Sequence, residues 1–155
     1  MKIQMLNLEN IGMLSQLEQD ARVSEPDIFI DDFDICKFNE EMKKALTNPI
    51  YDSARCMICI NDEGRAIGRI DFAIVPSFSF GGNLQVYIDW VYVLKEFRHR
   101  GVAQYLFSQM TEYIKDMGIS EYFLLMAENS EAQSFYRNLD GADISNYHVL
   151  RKHVI

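Results

Sequence analysis

One stretch of the sequence limits the architecture more than any other: LQVYIDWVYVL at residues 84–94, followed across KEFRHR by a change of period. In the first part Leu84, Val86, Ile88, Trp90, Tyr92 and Leu94 fall on one face and Gln85, Tyr87, Asp89, Val91 and Val93 on the other, which predicts a long, largely buried strand. Over 101–117, Val102, Ala103, Leu106, Phe107, Met110, Tyr113, Ile114 and Met117 recur at three- and four-residue spacing, and Gly118 closes the predicted helix. A buried strand running into an amphipathic helix demands that the helix pack on a sheet, so the fold is layered α/β.

The rest of the chain carries no repeat, low-complexity segment or linker, and a single domain over 1–155 is predicted. KIQML at 2–6 reads as a short strand. A helix is predicted over 8–22, with Leu8, Ile11, Leu14, Leu17 and Ala21 on one stripe. The segment 25–34 holds five acids and no base, interleaved with Ile28, Phe29, Ile30 and Phe33. A second helix then runs to residues 45–46, ahead of Asn48 and Pro49. Strands at 55–60 and 66–75 flank the tight turn Asn61-Asp62-Glu63-Gly64 as a hairpin, and 76–83 is a loop. The last third adds a strand at 121–126, a helix at 130–139 and a final strand within 144–154. The order β-α-α-β-β-β-α-β-α-β predicts a mixed α/β sheet, antiparallel in its first half and with a crossover helix in its second.

Fifteen basic against 23 acidic residues leave a formal net charge of −8. The one basic cluster is Lys95, Arg98, His99 and Arg100, so no nucleic-acid partner is expected. The opening MKIQMLNLENIG lacks a signal-peptide core, and no segment approaches the ~20 apolar residues of a membrane span; no membrane partner is expected, and the location is read as cytoplasmic. Three cysteines without framework spacing suit a reducing compartment. Cys56 and Cys59 form a CxxC, but in the strand-like RCMICI they face opposite ways, and no second Cys or His pair lies at zinc spacing. Buried structural thiols and no metal site are expected.

Chemistry concentrates where strand meets helix. A helix opening on Arg98-His99-Arg100-Gly101-Val102-Ala103 offers unpaired backbone N–H groups, a positive dipole end and small residues that admit close approach, a combination that favours a phosphate. Arginines at that end would neutralise a diphosphate. On these residues alone, a basic solvated loop before an ordinary amphipathic helix explains the pattern equally well.

Arg98-x-x-Gly101-x-Ala103 after a long strand resembles the Q/R-x-x-G-x-G/A acetyl-CoA pyrophosphate motif of the GNAT superfamily of N-acetyltransferases. Downstream, Asn129-Ser-Glu-Ala132-Gln-Ser-Phe135-Tyr136 resembles the family's N-x-x-A-x-x-x-Y segment at the expected distance. Together they span roughly 55–145. The family often has proline where Lys95 stands, and a glycine–aromatic pair where Asp140-Gly141-Ala142 occurs. The resemblance implies a central, mostly antiparallel, splayed sheet flanked by about four helices, with acetyl-CoA as co-substrate and no metal. It implies that the amides of Arg98, His99, Arg100, Gly101, Val102, Ala103 and Gln104 cradle the pyrophosphate. Main-chain groups of Val91 and Val93 would pair with the pantetheine arm, with Asn129 bonding the pantetheine and Tyr136 near the sulfur.

Acetyl transfer from a thioester to an amine needs an acceptor for the ammonium proton and a donor for the departing thiolate. Tyr136 suits the second task, since a phenol near ~10 and an alkyl thiol near ~8.5 exchange a proton without a steep penalty; otherwise it is a core aromatic. Asp89 is the candidate base, an acid in an apolar strand on the face shared with Val91 and Val93, where a carboxylate is costly unless paired or functional. The alternative is an Asp satisfied by its neighbours. The local string YIDWVYV also resembles that of aminoglycoside 6'-N-acetyltransferases. Trp90 and Tyr92 are expected in the core and His99 in an exposed loop. The acidic segment 25–34 is either a solvated surface or an attractor for a cationic small-molecule amine. Acetylation of a protein amino terminus or lysine is the competing activity, a catalytically silent acyl-CoA-binding module the competing class. A homodimer is expected from exposed strand edges and the superfamily's habit.

Overall fold

Asn10 sets the beginning of the first helix. Its Oδ1 accepts from the amide of Asn7 at 2.8 Å and its Nδ2 donates to the carbonyl of Met5 at 3.0 Å, so the turn 7–10 is closed by side-chain bonds and the helix starts after it. The protein, seen here as a computed structural model, is described over residues 1–78, 82–126, 130–146 and 149–152. Its elements are β1 (Lys2–Met5), α1 (Ile11–Ser24), α2 (Ile35–Leu46), β2 (Ala54–Ile60), β3 (Ala66–Ser77), β4 (Asn83–Val93), α3 (Val102–Asp116), β5 (Tyr122–Leu124) and α4 (Ser130–Arg137). Short 3-10 turns lie at Pro49–Tyr51 and Lys95–Phe97. Residues Met1–Leu124 and Leu125–Ile155 are two compact units.

The first unit is a five-stranded sheet in the order β1-β2-β3-β4-β5, antiparallel except for the parallel β4–β5 pair. The β2–β3 hairpin turns where predicted: Asn61 Oδ1 accepts from the amides of Glu63 and Arg65, and Gly64 supplies φ +84°. Asp34 caps α2 by accepting from the amides of Cys36 and Lys37 at 2.8 and 3.0 Å. On one sheet face Leu14, Leu17 and Ala21 of α1 pack with Cys56, Ile58, Ile60, Tyr92 and Leu94. On the other, Tyr113 of α3 meets Phe72 edge-on at 6.0 Å and Val102 lies over Gly68. Cys56 and Cys59 are both buried and on opposite faces, being paired with Asp71 and Gly68.

The predicted alternation of β4 breaks at one residue. Ile88 pairs with Phe72 and Trp90 with Asp71, so Asp89 has no partner and forms a β-bulge. Directly paired residues share a face. Val86 and Ile88 therefore lie with Val91 and Val93, paired with Ile70 and Gly68, on the α3 side; Trp90 and Tyr92, paired with Asp71 and Arg69, lie on the α1 side. This corrects two expectations. Asp89 does not share an uninterrupted face with Val91 and Val93, and it is exposed. Trp90 is 42% exposed rather than in the core, whereas Tyr92 is buried at 9%.

Other boundaries shift for local reasons. Leu8 sits in the turn before α1 and is exposed. β5 is shorter than predicted because only Tyr122–Leu124 find partners, at Val86–Ile88 of β4. In the second unit, α4 is followed by turns and irregular chain: the described part of 144–152 is exposed and forms no strand, contrary to the final strand expected within 144–154. Residues 147–148 and 153–155 of that stretch lie outside the described residues.

Gly68 is where strand and helix approach most closely. A methyl there would stand 2.9 Å from the carbonyl of Tyr92 and 3.2 Å from Val102. Gly68→Ala is expected to destabilise by about 1–3 kcal/mol, read as a fall of several degrees in the midpoint of a thermal melt.

Candidate active site

β4 and β5 part company at the bulge. Their pairing stops at Ile88–Leu124, while β4 continues to Val93. The amide of Leu94 donates to Ile67 of β3 at 3.0 Å. Alternation along the strand then turns the main-chain groups of Tyr92 toward β3 and those of Val91 and Val93 away from it, where no described strand follows. An extended amide-bearing ligand could add there as a short strand. The carbonyl of Val93 already accepts from Arg98 Nε at 3.1 Å, which leaves its amide and both main-chain groups of Val91.

Immediately beyond, the chain makes a concentration of N–H groups. The amides of residues 99–104 donate no hydrogen bond to any described residue; the first intrahelical bond runs from Tyr105 to Gly101 at 2.9 Å. His99, at φ 58°, and Gly101, at φ 80°, both adopt the left-handed conformation, and they flank Arg100. Such turns gather successive amides into an anion-binding concavity at the positive end of the helix dipole. A methyl on Gly101 would meet nothing within 4 Å, so the space before it is open. His99, Arg100 and Gln104 are exposed, as expected for residues beside a ligand or solvent; Gly101 and Ala103 are half-buried and Val102 is buried.

Arg98 does something the motif did not suggest. Its Nη1 and Nη2 donate to Glu25 Oε1 and Oε2 at 2.9 and 2.5 Å, and Tyr92 donates its hydroxyl to Glu25 Oε2 at 2.8 Å. Glu25 ends α1 and is 8% exposed. Burial pushes its carboxyl up, but the Arg98 and Tyr92 hydrogen bonds, with the charges of Arg98 and Lys95, outweigh this and hold it below its ordinary value. Burial and the adjacent carboxylate push the Tyr92 phenol up to about 12. Sequence reasoning missed Glu25. Its only signal was that it opens the acidic segment directly after the apolar stripe of α1.

That acidic segment is less of an attractor than its composition implied. Glu25 is taken by Arg98, Asp31 pairs with Arg22 at 2.8 Å and Asp34 is the α2 cap. Arg22 also lies 4.3 Å from the Phe33 ring centre and 5.2 Å from that of Phe29, which meets Tyr92 edge-on at 5.4 Å.

Around the bulge the costly carboxylate is Asp71, not Asp89. Asp71 Oδ2 lies 3.5 Å from Arg69, which also meets Glu18 at 2.9 Å, and Asp71 Oδ1 is buried without a hydrogen-bond partner among the described residues. Burial raises its pKa above the ordinary value; Arg69 and Cys56 oppose the rise, and the charges of Glu18 and Asp89 add to it. Arg69 and Asp71 stand two apart in a strand, which was the available sign of a polar stripe on one face. On α4, Tyr136 is half-buried and meets Phe135 edge-on at 5.4 Å. Burial raises its phenol as well. Asn129 lies outside the described residues.

Because Glu25 is held below the pKa of an unfolded glutamate, near ~4.3, its contribution to stability is complete above that pH and is lost as pH falls through the depressed folded value. The groups facing it are Arg98, Tyr92 and Lys95. Glu25→Gln is expected to cost about 3 kcal/mol at pH 7. Thermal melts should show the gap between variant and wild type narrowing below pH 4.

Comparison with known proteins agrees with this geometry. The profile of the Acetyltransferase (GNAT) family matches residues 15–140. No curated protein matches. The fold is similar to that of an aminoglycoside acetyltransferase from an uncultured soil metagenomic sample in complex with trehalose, at TM-score 0.77 and 16% identity over 99% of this chain and 96% of that one. It is similar to AAC(6')-Iy in complex with a bisubstrate analogue, CoA-S-monomethyl-acetylneamine, at TM-score 0.72 and 22% identity over 99% and 98%. It is also similar to a ribosomal-protein-alanine N-acetyltransferase from Brucella melitensis biovar Abortus 2308, at TM-score 0.72 and 16% identity over 98% and 100%. The short parallel β4–β5 pair, the α3-start amides that donate to no described residue and a profile match over most of the chain converge: this protein belongs to the GNAT acetyltransferase family and is an N-acetyltransferase.

Proposed function

We propose that the protein transfers an acetyl group from acetyl-CoA directly to the primary amine of a small cationic acceptor, of aminosugar or polyamine type. The observation that carries the donor half is the run of amides at 99–104, which fits a diphosphate with no Cβ in the way at Gly101. The outward main-chain groups of Val91 and the amide of Val93 fit the pantetheine arm beside it. For the acceptor half, the bulge gathers Asp89, Asp71 and the exposed indole of Trp90, a set that attracts a cation by charge and by its aromatic face.

In this reading Asp89 takes a proton from the acceptor ammonium, and the freed nitrogen lone pair forms the new C–N bond. As the C–S bond breaks, the electron pair stays on sulfur and the thiolate takes the Tyr136 phenolic proton. The proton remaining on the positively charged nitrogen passes through water to the phenolate. Burial raises the Tyr136 phenol above its ordinary value, so it keeps its proton until a thiolate forms to take it. Cys56 and Cys59 are buried and burial raises both thiols, so neither carries the acyl group in this scheme.

Two measurements test the halves separately. Calorimetry should give micromolar acetyl-CoA binding that Gly101→Glu abolishes and Gly101→Ala, with the same backbone strain but no charge, weakens less; no binding by folded wild type would remove the donor reading. Asp89→Asn should lower turnover of cationic amines by about 100-fold or more with acetyl-CoA affinity unchanged. Turnover within a few-fold of wild type would end the base assignment.

A further inference from the structure

Arg98 opens the diphosphate motif, yet its guanidinium faces inward: Nη1 and Nη2 meet Glu25 and Nε meets the carbonyl of Val93, the last residue of β4. The side chain therefore straps together the end of α1, the end of β4 and the turn that leads into α3. We propose that Glu25 is a positioning residue for acetyl-CoA, acting through Arg98 to hold the 98–104 main chain in its anion-binding shape; this rests on the acetyltransferase reading above.

Three observations carry it. His99, the next residue, holds φ 58°, a conformation that a non-glycine residue keeps only where its surroundings fix it. The amides of 99–104 have no acceptor among the described residues, so no internal hydrogen bond from them stabilises that shape. The strap attaches at the one residue between these amides and the 3-10 turn Lys95–Phe97, and its far end is immobile: Glu25 is 8% exposed, its amide donates to Ala21 at 2.9 Å and Tyr92 grips its Oε2. A charge committed this way is withheld from the phosphates. Glu25 thus shapes the site while touching neither substrate.

The two roles open to Arg98 separate on Glu25 variants. If the Arg98 charge served the diphosphate directly, freeing it from Glu25 would leave acetyl-CoA affinity unchanged or tighter. Positioning predicts the opposite. In Glu25→Gln, the Kd and KM for acetyl-CoA should rise about fivefold or more, with kcat and the amine KM within about twofold of wild type. Glu25→Asp keeps the charge and should show a smaller rise of the same kind. A purely structural Glu25 would lower the melting midpoint of both variants and leave the acetyl-CoA KM of the folded fraction where it was, which overturns the proposal. Should Glu25→Gln not fold, Glu25→Asp decides alone. Absence of acetyl-CoA binding by wild type overturns this proposal together with the acetyltransferase reading; binding by wild type and variants alike overturns only the role of Glu25.

Discussion

A single unpaired residue in the central strand organises this molecule. Asp89 interrupts the β3–β4 ladder, and the interruption exchanges the faces of everything after it. Without it, Val91 and Val93 would turn toward α1, and Tyr92 would lose its place in the α1 core and its reach to Glu25. The same point along β4 is where β5 stops pairing. One local irregularity thus accounts for the direction of the main-chain groups of Val91 and Val93 and for Trp90 lying on the α1 side. This is the ordinary consequence of a bulge, which bends its strand and re-aims side chains.

Beyond the bulge, structure depends on how buried charge is balanced. The Glu25–Arg98 pair is weak evidence for net stability, since desolvating both partners offsets most of their attraction. Its value is geometric, because a bidentate pair fixes direction as well as distance. A second chain of alternating charge runs from Asp31 through Arg22, Glu18 and Arg69 to Asp71. It joins the acidic segment, α1 and the bulge on one side of the sheet. Asp71 ends that chain with one buried oxygen unpartnered among the described residues.

Much of the fold was legible because it rests on period and on turn chemistry. Asn61 and Gly64 and the stripes of α1 and α3 behave as their residue types require. The turn into α3 was legible for the same reason: Gly101 takes φ 80° and stands immediately before the helix. The bulge was not, since alternation over 84–94 is continuous in the sequence and only the register against β3 reveals the slip. Nor was Glu25 legible. Its partner is 73 residues away, and in composition it counted as one more acid in a charged segment. The final strand expected within 144–154 is not formed by its described residues, which are exposed and pair with no strand.

A chain of net charge −8 that receives a polyanionic donor appears self-defeating only if charge is treated as uniform. At physiological ionic strength a field decays over about 8 Å, so the carboxylates that matter to a bound diphosphate are the few within that range. Near the start of α3, Glu25 is neutralised by Arg98 and Glu96 pairs with Arg65, while Lys95 and Arg100 lie on either side of Arg98 in the chain. On the α1 side, Glu18 and Asp31 are matched by Arg22 and Arg69, and Asp89 remains exposed at the bulge. The acidity of the protein is thus balanced around the turn that leads into α3 and left exposed at the bulge, so a net charge of −8 does not by itself set the potential at either place.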